Sequence, residues 1–298
     1  MLDHLAEPRV DAVRRFFRAE SDRELLGCYA WCQCVSAGLL PILGDFEVAL
    51  RNALHRAFSV YFGCDTWMLT RPNPAAHRSP VAKPLPAAHK MPTYMQQDVQ
   101  RAADKIRRRK GNVLPDDVVA ALPFGFWEQL INSLGHKSHP ADLQGAVLSS
   151  VFPNAPCVAP DDYGTKDFRE RTVALMGQLR DVRNRIGHHD SIWAVPEFDL
   201  FGKRGFIPRR PRHTVTSLKL FAERLAWFAG WIDPSIPVYM RRSDHWWSFM
   251  SLLDQQALLI YRQTGGRIGS YEQVLRRKAN VSPLVLSLRK PSFHKCFY

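Results

Sequence analysis

The run Arg180-Asp181-Val182-Arg183-Asn184-Arg185-Ile186-Gly187-His188-His189-Asp190 gathers side chains that can act together on a phosphodiester. A histidine titrates near neutrality and can move a proton between a hydroxyl and a leaving oxygen. An arginine offers planar, paired donors to a phosphate and stabilises the negative charge that develops there. An asparagine amide can orient either one. Together they suffice to cleave RNA without a metal: the ribose 2′-hydroxyl attacks its own phosphate, so no outside nucleophile is required. The expected ends are a 2′,3′-cyclic phosphate and a 5′-hydroxyl. The same residues also admit a plain account, because Arg and His near a helix C-terminus interact well with the helix dipole and its last carbonyls.

The element that must position them is a helix predicted from Thr165 to Ile186. Phe168, Leu175, Leu179, Val182 and Ile186 fall on one stripe at about 100° per residue. Arg180, Asn184 and His188 recur at every fourth position, about 120° to 200° round from Phe168, on an exposed face. Arg183 lies at the flank, about 60° from the stripe and about 140° round the helix from His188. That angle is awkward for joint action within one copy of the motif. Gly187 would let the backbone leave helical geometry and re-aim His188. Two rival pairs have comparable spacing. Arg185 with His189 is one. Arg51-Asn52-x-x-His55 is the other, but Phe46, Leu50, Leu54 and Phe58 make that segment's core stripe, which favours a structural or supporting role.

Earlier in the chain, Ser21 with Glu24 fits a capping box. Pro41 and Gly44 then divide the apolar stretch into two helices, the second from Phe46 to Phe62, forming an antiparallel hairpin. Six prolines between Arg71 and Pro92 predict an exposed loop. Helices follow from Tyr94 to Lys110, after a capping Asp116, over Phe124–Leu134 and over Ala141–Val151. Others are expected near Thr214–Ile232 and Ser248–Arg262, with a possible short strand at Val285–Leu288. The fold class is therefore all-α: a multi-helix bundle over residues 1–232, with a peripheral C-terminal helical extension and basic tail over 233–298.

Several of these segments resemble the abortive-infection (Abi-like) family of the HEPN ribonuclease superfamily. Arg183-Asn184-x-x-x-His188 matches the superfamily's arginine–polar–x-x-x–histidine signature, and LRDVRNRIGHHDSIW, Leu179–Trp193, is similar to the family's LRNRIxHHEPIW block. FEVALRNALHRAFSVYFG, Phe46–Gly63, with Trp67 after it, looks like the family's N-terminal helix. LPFGFWEQL, Leu122–Leu130, and VFPNAP, Val151–Pro156, are similar to two further segments. These landmarks are collinear over Leu25–Trp193. Asp190-Ser191 replaces the usual Glu-Pro, and Gly187 is atypical. The resemblance implies an all-helical fold, an endoribonuclease site at Arg183, Asn184 and His188, and a role in phage defence by growth arrest, or as a toxin. It also implies a homodimer whose two motifs face each other, and leaves room for an antitoxin or phage-derived trigger. The alternative is a non-catalytic RNA-binding or sensor protein of the same fold; a purely structural dimer module is a third possibility.

Charge points the same way. Lys and Arg number 41 against 28 Asp and Glu, a formal balance of +13 that favours a polyanionic partner. Two clusters are candidate RNA contacts: Lys105, Arg107, Arg108, Arg109 and Lys110, and Lys203, Arg204, Arg209, Arg210 and Arg212. Phe206 within the second offers a ring for an unpaired base. Arg241-Arg242 and Arg276-Arg277-Lys278 add to them. No phosphate-binding loop or dinucleotide fingerprint is present, and no cofactor or metal is expected. Asp116-Asp117 and Asp161-Asp162 read as helix caps, and His136 and His139 lack acidic or cysteine partners. Cys28, Cys32 and Cys34 sit at core positions, and Cys64, Cys157 and Cys296 complete no metal spacing. Free thiols, no signal segment and no apolar run of membrane length make a cytoplasmic setting the expectation.

Overall fold

A computed structural model of the chain describes residues 4–69, 91–156, 159–267 and 269–281. The greater part of the Pro-rich stretch, the possible strand at Val285–Leu288, Cys157 and Cys296 lie outside them. The described residues form twelve α-helices and one 3-10 turn, with a single isolated β-pairing, Phe198 with Arg204. The all-α class holds.

One helix organises the others. After α1 (Glu7–Phe17), α2 runs unbroken from Asp22 to Phe62 with Pro41 inside it. The two-helix hairpin expected here is therefore corrected to one 41-residue helix. A mid-helix proline costs roughly 3 kcal/mol. Around it Leu39, Ile42, Leu43 and Phe46 are all essentially buried, at roughly 1.5–3 kcal/mol each, which outweighs the break. Ser21 caps the start, its Oγ accepting from the Glu24 N–H at 3.2 Å. The reciprocal half of the capping box is diverted: the Glu24 carboxylate accepts from the Glu20 N–H and pairs with Arg262 at 2.6 Å. Arg262, and then the Glu20 N–H, hold the Glu24 carboxyl below its ordinary pKa.

Packed around α2 are α4 (Pro115–Ala121), α5 (Phe124–Ser133), α6 (Leu143–Val151), α7 (Lys166–Gly187), α8 (Pro211–Ala229), α9 (Ser235–Arg242), α10 (Asp244–Leu252) and α11 (Gln255–Thr264). α2 is long and apolar enough, by length and composition, to cross a bilayer. The core helix of a protein, with other helices packed along it, meets the same criterion, and α2 is contacted by most of the other helices. α10 and α11 lie along its N-terminal half, where a Cβ on Gly27 would fall 2.1 Å from the Tyr261 carbonyl and the Trp31 indole donates to Leu252 O at 3.0 Å. The residues after 232 are thus core, not the peripheral segment expected, at least through Thr264. The predicted helix over Ser248–Arg262 is two, parted at Leu253-Asp254, where the Asp254 carboxylate caps α11.

α3 (Thr93–Lys110) packs on α4 and α5, and α12 (Ser270–Val281) on α10 and α11. Asp116 does not cap α4; Leu114 occupies that position and Asp116 sits in the first turn, where its charge suits the helix dipole. Cys28 and Cys32 are buried and free as expected; burial pushes the Cys28 thiol up to about 12 and that of Cys32 well above its ordinary value.

Candidate functional site

α7 carries the motif, and its start is firmly tied. Thr165 caps it, accepting from the Phe168 N–H at 3.3 Å. Gln144 of α6 donates to the carbonyls of Tyr163 and Thr165 and accepts from Arg169 at 2.6 Å. Phe168, Thr172, Leu175, Met176, Leu179, Val182 and Ile186 are buried, so the predicted stripe is the core face and the opposite face is fixed by it. Gly187 ends the helix in ordinary helical geometry, contrary to the special freedom expected of it. The left-handed residue is His189, at φ 55°. The closing turn is held by the Asp190 N–H donating to Arg185 O at 2.8 Å.

Two of the motif's arginines turn away from the rest of its polar residues. Arg180 turns toward α5 and donates to Glu128 at 2.8 Å, with Asp181 as a second partner at 3.1 Å. It is thus not a member of a freely exposed face. Glu128 is buried; desolvation raises its pKa, and the Arg180 charge only partly offsets this. Arg183 points another way, its Nε lying 3.7 Å from the Glu47 carboxylate of α2.

Asn184, Arg185 and His188 instead line a cleft of about 390 Å³ with Gln178 and Asp181 from the same helix. Its far wall is the segment from Val195 to Arg204, and its apolar floor is Val182, Val195, Phe198 and Phe221. Within the basic loop this wall is an ordered hairpin. The Gly205 N–H donates to Glu197 O, the Glu197 N–H to Phe206 O and the Asp199 N–H to Lys203 O, at 2.8–3.0 Å. The tip is closed by the Asp199 carboxylate, which accepts from the Phe201 and Lys203 N–H groups at 2.8 and 2.9 Å. Those backbone bonds hold its carboxyl below the ordinary pKa, the Lys203 N–H contributing most.

Gly202 at φ 77° lets the tip rest on α7, and Gln178 donates to its carbonyl at 3.1 Å. Arg204 reaches back to α7: its Nε donates to Gln178 at 3.2 Å and its Nη2 pairs with Asp181. Asp181 and Asp190, which also line the cleft, belong to the motif run but have no site role assigned from the sequence. Asp181 alone had a local signal, lying one turn before Arg185.

The other predicted residues are dispersed. His189 is exposed but does not line the cleft. In α2, Asn52 is exposed, Arg51 donates to Ala120 O at 3.4 Å, and His55 is buried with its Nδ1 accepting from Trp67 at 3.1 Å. That pair forms no open second site. Lys105 and Arg107–Lys110 end α3, where Arg107 pairs with Asp104 at 2.7 Å and Lys110 with Asp117 at 2.5 Å. Arg241 and Arg276 likewise carry local carboxylates, Glu223 and Glu272, and Lys278 pairs with Asp254. Lys203 is exposed at the hairpin tip, next in sequence to the cleft-lining Arg204, and Arg209, Arg210 and Arg212 are exposed at the start of α8. Phe206 is 48% exposed and meets His213 edge-on at 5.3 Å. Among the described residues no three His, Cys, Asp or Glu side chains are grouped to hold a metal ion.

No family model, no curated protein and no solved structure matches the chain.

Proposed function

We propose that the chain is an endoribonuclease of the HEPN type, needing no metal for the cut, that acts in phage defence by growth arrest or as a toxin. One observation carries this: His188 and Asn184, two of the three signature residues, line the cleft at the C-terminal end of α7 beside an exposed basic hairpin. His188 takes the proton from the 2′-hydroxyl or returns one to the departing 5′-oxygen, and Asn184 orients the phosphate against it. The exposed Lys203, Arg209, Arg210 and Arg212 supply a track for the flanking strand. The reading expects a homodimer, which sedimentation can decide.

A non-catalytic RNA-binding or sensor role is the second reading. What favours it is the Arg183–Glu47 ion pair, which occupies the third signature residue.

Purified protein is incubated with total bacterial RNA in excess EDTA, with His188→Ala alongside. Cleavage by wild type, with activity down at least a hundredfold in the variant, is the expected result. Equal RNA binding by both with no cutting by either would hand the case to the binding reading.

A further inference from the structure

The sequence signature assigns phosphate to Arg183, yet Arg183 does not line the cleft that holds His188. Arg180, Arg183 and Arg204 each have a carboxylate partner: Glu128 and Asp181, Glu47, and Asp181 respectively. Arg185 is in no ion pair among the described residues, is half-buried, and lines the cleft one turn before His188. An i, i+3 spacing puts the two side chains on one strip of helix, whereas Arg183 and His188 are about 140° apart.

We infer that Arg185, not Arg183, is the arginine that meets the phosphodiester in this cleft, with Arg204 as the second cation across from it. The identity of the ligand as an RNA phosphate rests on the ribonuclease reading above. Gln178 and Asp181 hold Arg204 along its Nε–Nη2 edge, which leaves its Nη1 donors outside those contacts on a residue that lines the cleft. Asp181 is itself neutralised by two arginines, so it does not repel an anion as a bare carboxylate would. It is a positioning residue. Asp190 is the remaining acid of the lining; its Oδ1 accepts from the Ser191 N–H at 2.8 Å. Arg183 serves to join α7 to α2 through Glu47.

The test uses the full chain and a fluorescent 2′-O-methyl oligoribonucleotide, in which the attacking hydroxyl is blocked, so that affinity is read without cleavage. Arg185→Ala is expected to weaken binding roughly tenfold or more, as loss of a charge-assisted contact to phosphate does. Arg185→Lys should recover part of the loss, since charge returns without the planar fork. Arg183→Ala should change affinity less than about threefold, in line with a half-exposed pair. Should Arg185→Ala fold poorly, Arg185→Gln takes its place.

Wild-type affinity in the Arg185 variants, a larger loss in Arg183→Ala, or no binding by the wild type would each overturn the inference. Cleavage of total RNA is scored separately. If Arg185→Ala loses binding while no form of the protein cuts, the ribonuclease reading fails and the phosphate site stands. If Arg185→Ala still cuts and binds as wild type, the ribonuclease stands and the inference falls.

Discussion

Two histidines of this chain each follow an arginine and an asparagine on a helix, and their surroundings give them different work. Burial disfavours the charged form of the His55 ring and lowers its pKa, and the neutral ring's Nδ1 lone pair accepts the Trp67 indole N–H. His188 is exposed at a helix end and lines a cleft. Spacing could not tell them apart; burial of the helix face did. The His55 shift has a definite sign. The unfolded chain takes up the proton near pH 6.5 and the folded chain only at lower pH, so stability present above 6.5 is lost as pH falls from there toward the folded value. Urea unfolding of wild type should show a falling midpoint between pH 7 and 5. His55→Gln should flatten part of that slope and cost about 1–3 kcal/mol at pH 7, because the Trp67 donor loses its best partner. An unchanged slope in the variant would place the titration elsewhere.

At the scale of elements, α7 was legible because one strong period of 3.6 over five turns fixes both its buried and its exposed face. The break expected at Pro41 followed local rules that the burial of Leu39, Ile42, Leu43 and Phe46 overrides. The site wall was only half legible. Residues 203–212 were readable as basic, but the hairpin depends on tertiary fit: Asp199 closing the tip and Gly202 touching down on α7. A Cβ on Gly202 would lie 2.6 Å from the Ala174 carbonyl carbon and 2.7 Å from Ala174 Cβ, and the residue is already left-handed. Gly202→Ala therefore must lift the tip, and with it the purchase of Arg204 on Gln178 and Asp181. Overpacking costs roughly 1–3 kcal/mol, and a chain of this size loses about 2–4 °C in Tm per kcal/mol. The expected result is a Tm drop of several degrees with oligoribonucleotide affinity reduced several-fold. A lower Tm with unchanged affinity would mean the hairpin is scaffold and not part of the site.

For the whole molecule, the charge surplus was plain in the composition, but which cations stay available was not. Arg107, Lys110, Arg241, Arg276 and Lys278 are all matched locally by acids, while the unmatched Arg185 sits in the cleft. That distribution bears on assembly. If Arg183 had to reach His188, the site would need two chains. With Arg185 and His188 on one strip of one helix, each chain holds a complete set even when two chains associate. Mixing separately inactive variants distinguishes these arrangements. Suppose His188→Ala and Arg185→Ala are unfolded together and refolded as a mixture. A site shared between chains would be rebuilt in half of the mixed dimers' sites, returning about a quarter of wild-type cleavage if pairing is random. A site contained in one chain is repaired in none of them, whether the protein is a dimer or a monomer. The structure leads us to expect no recovery; recovery near a quarter would show that the two residues meet across an interface, and that Arg185 and His188 of one chain never share a phosphate.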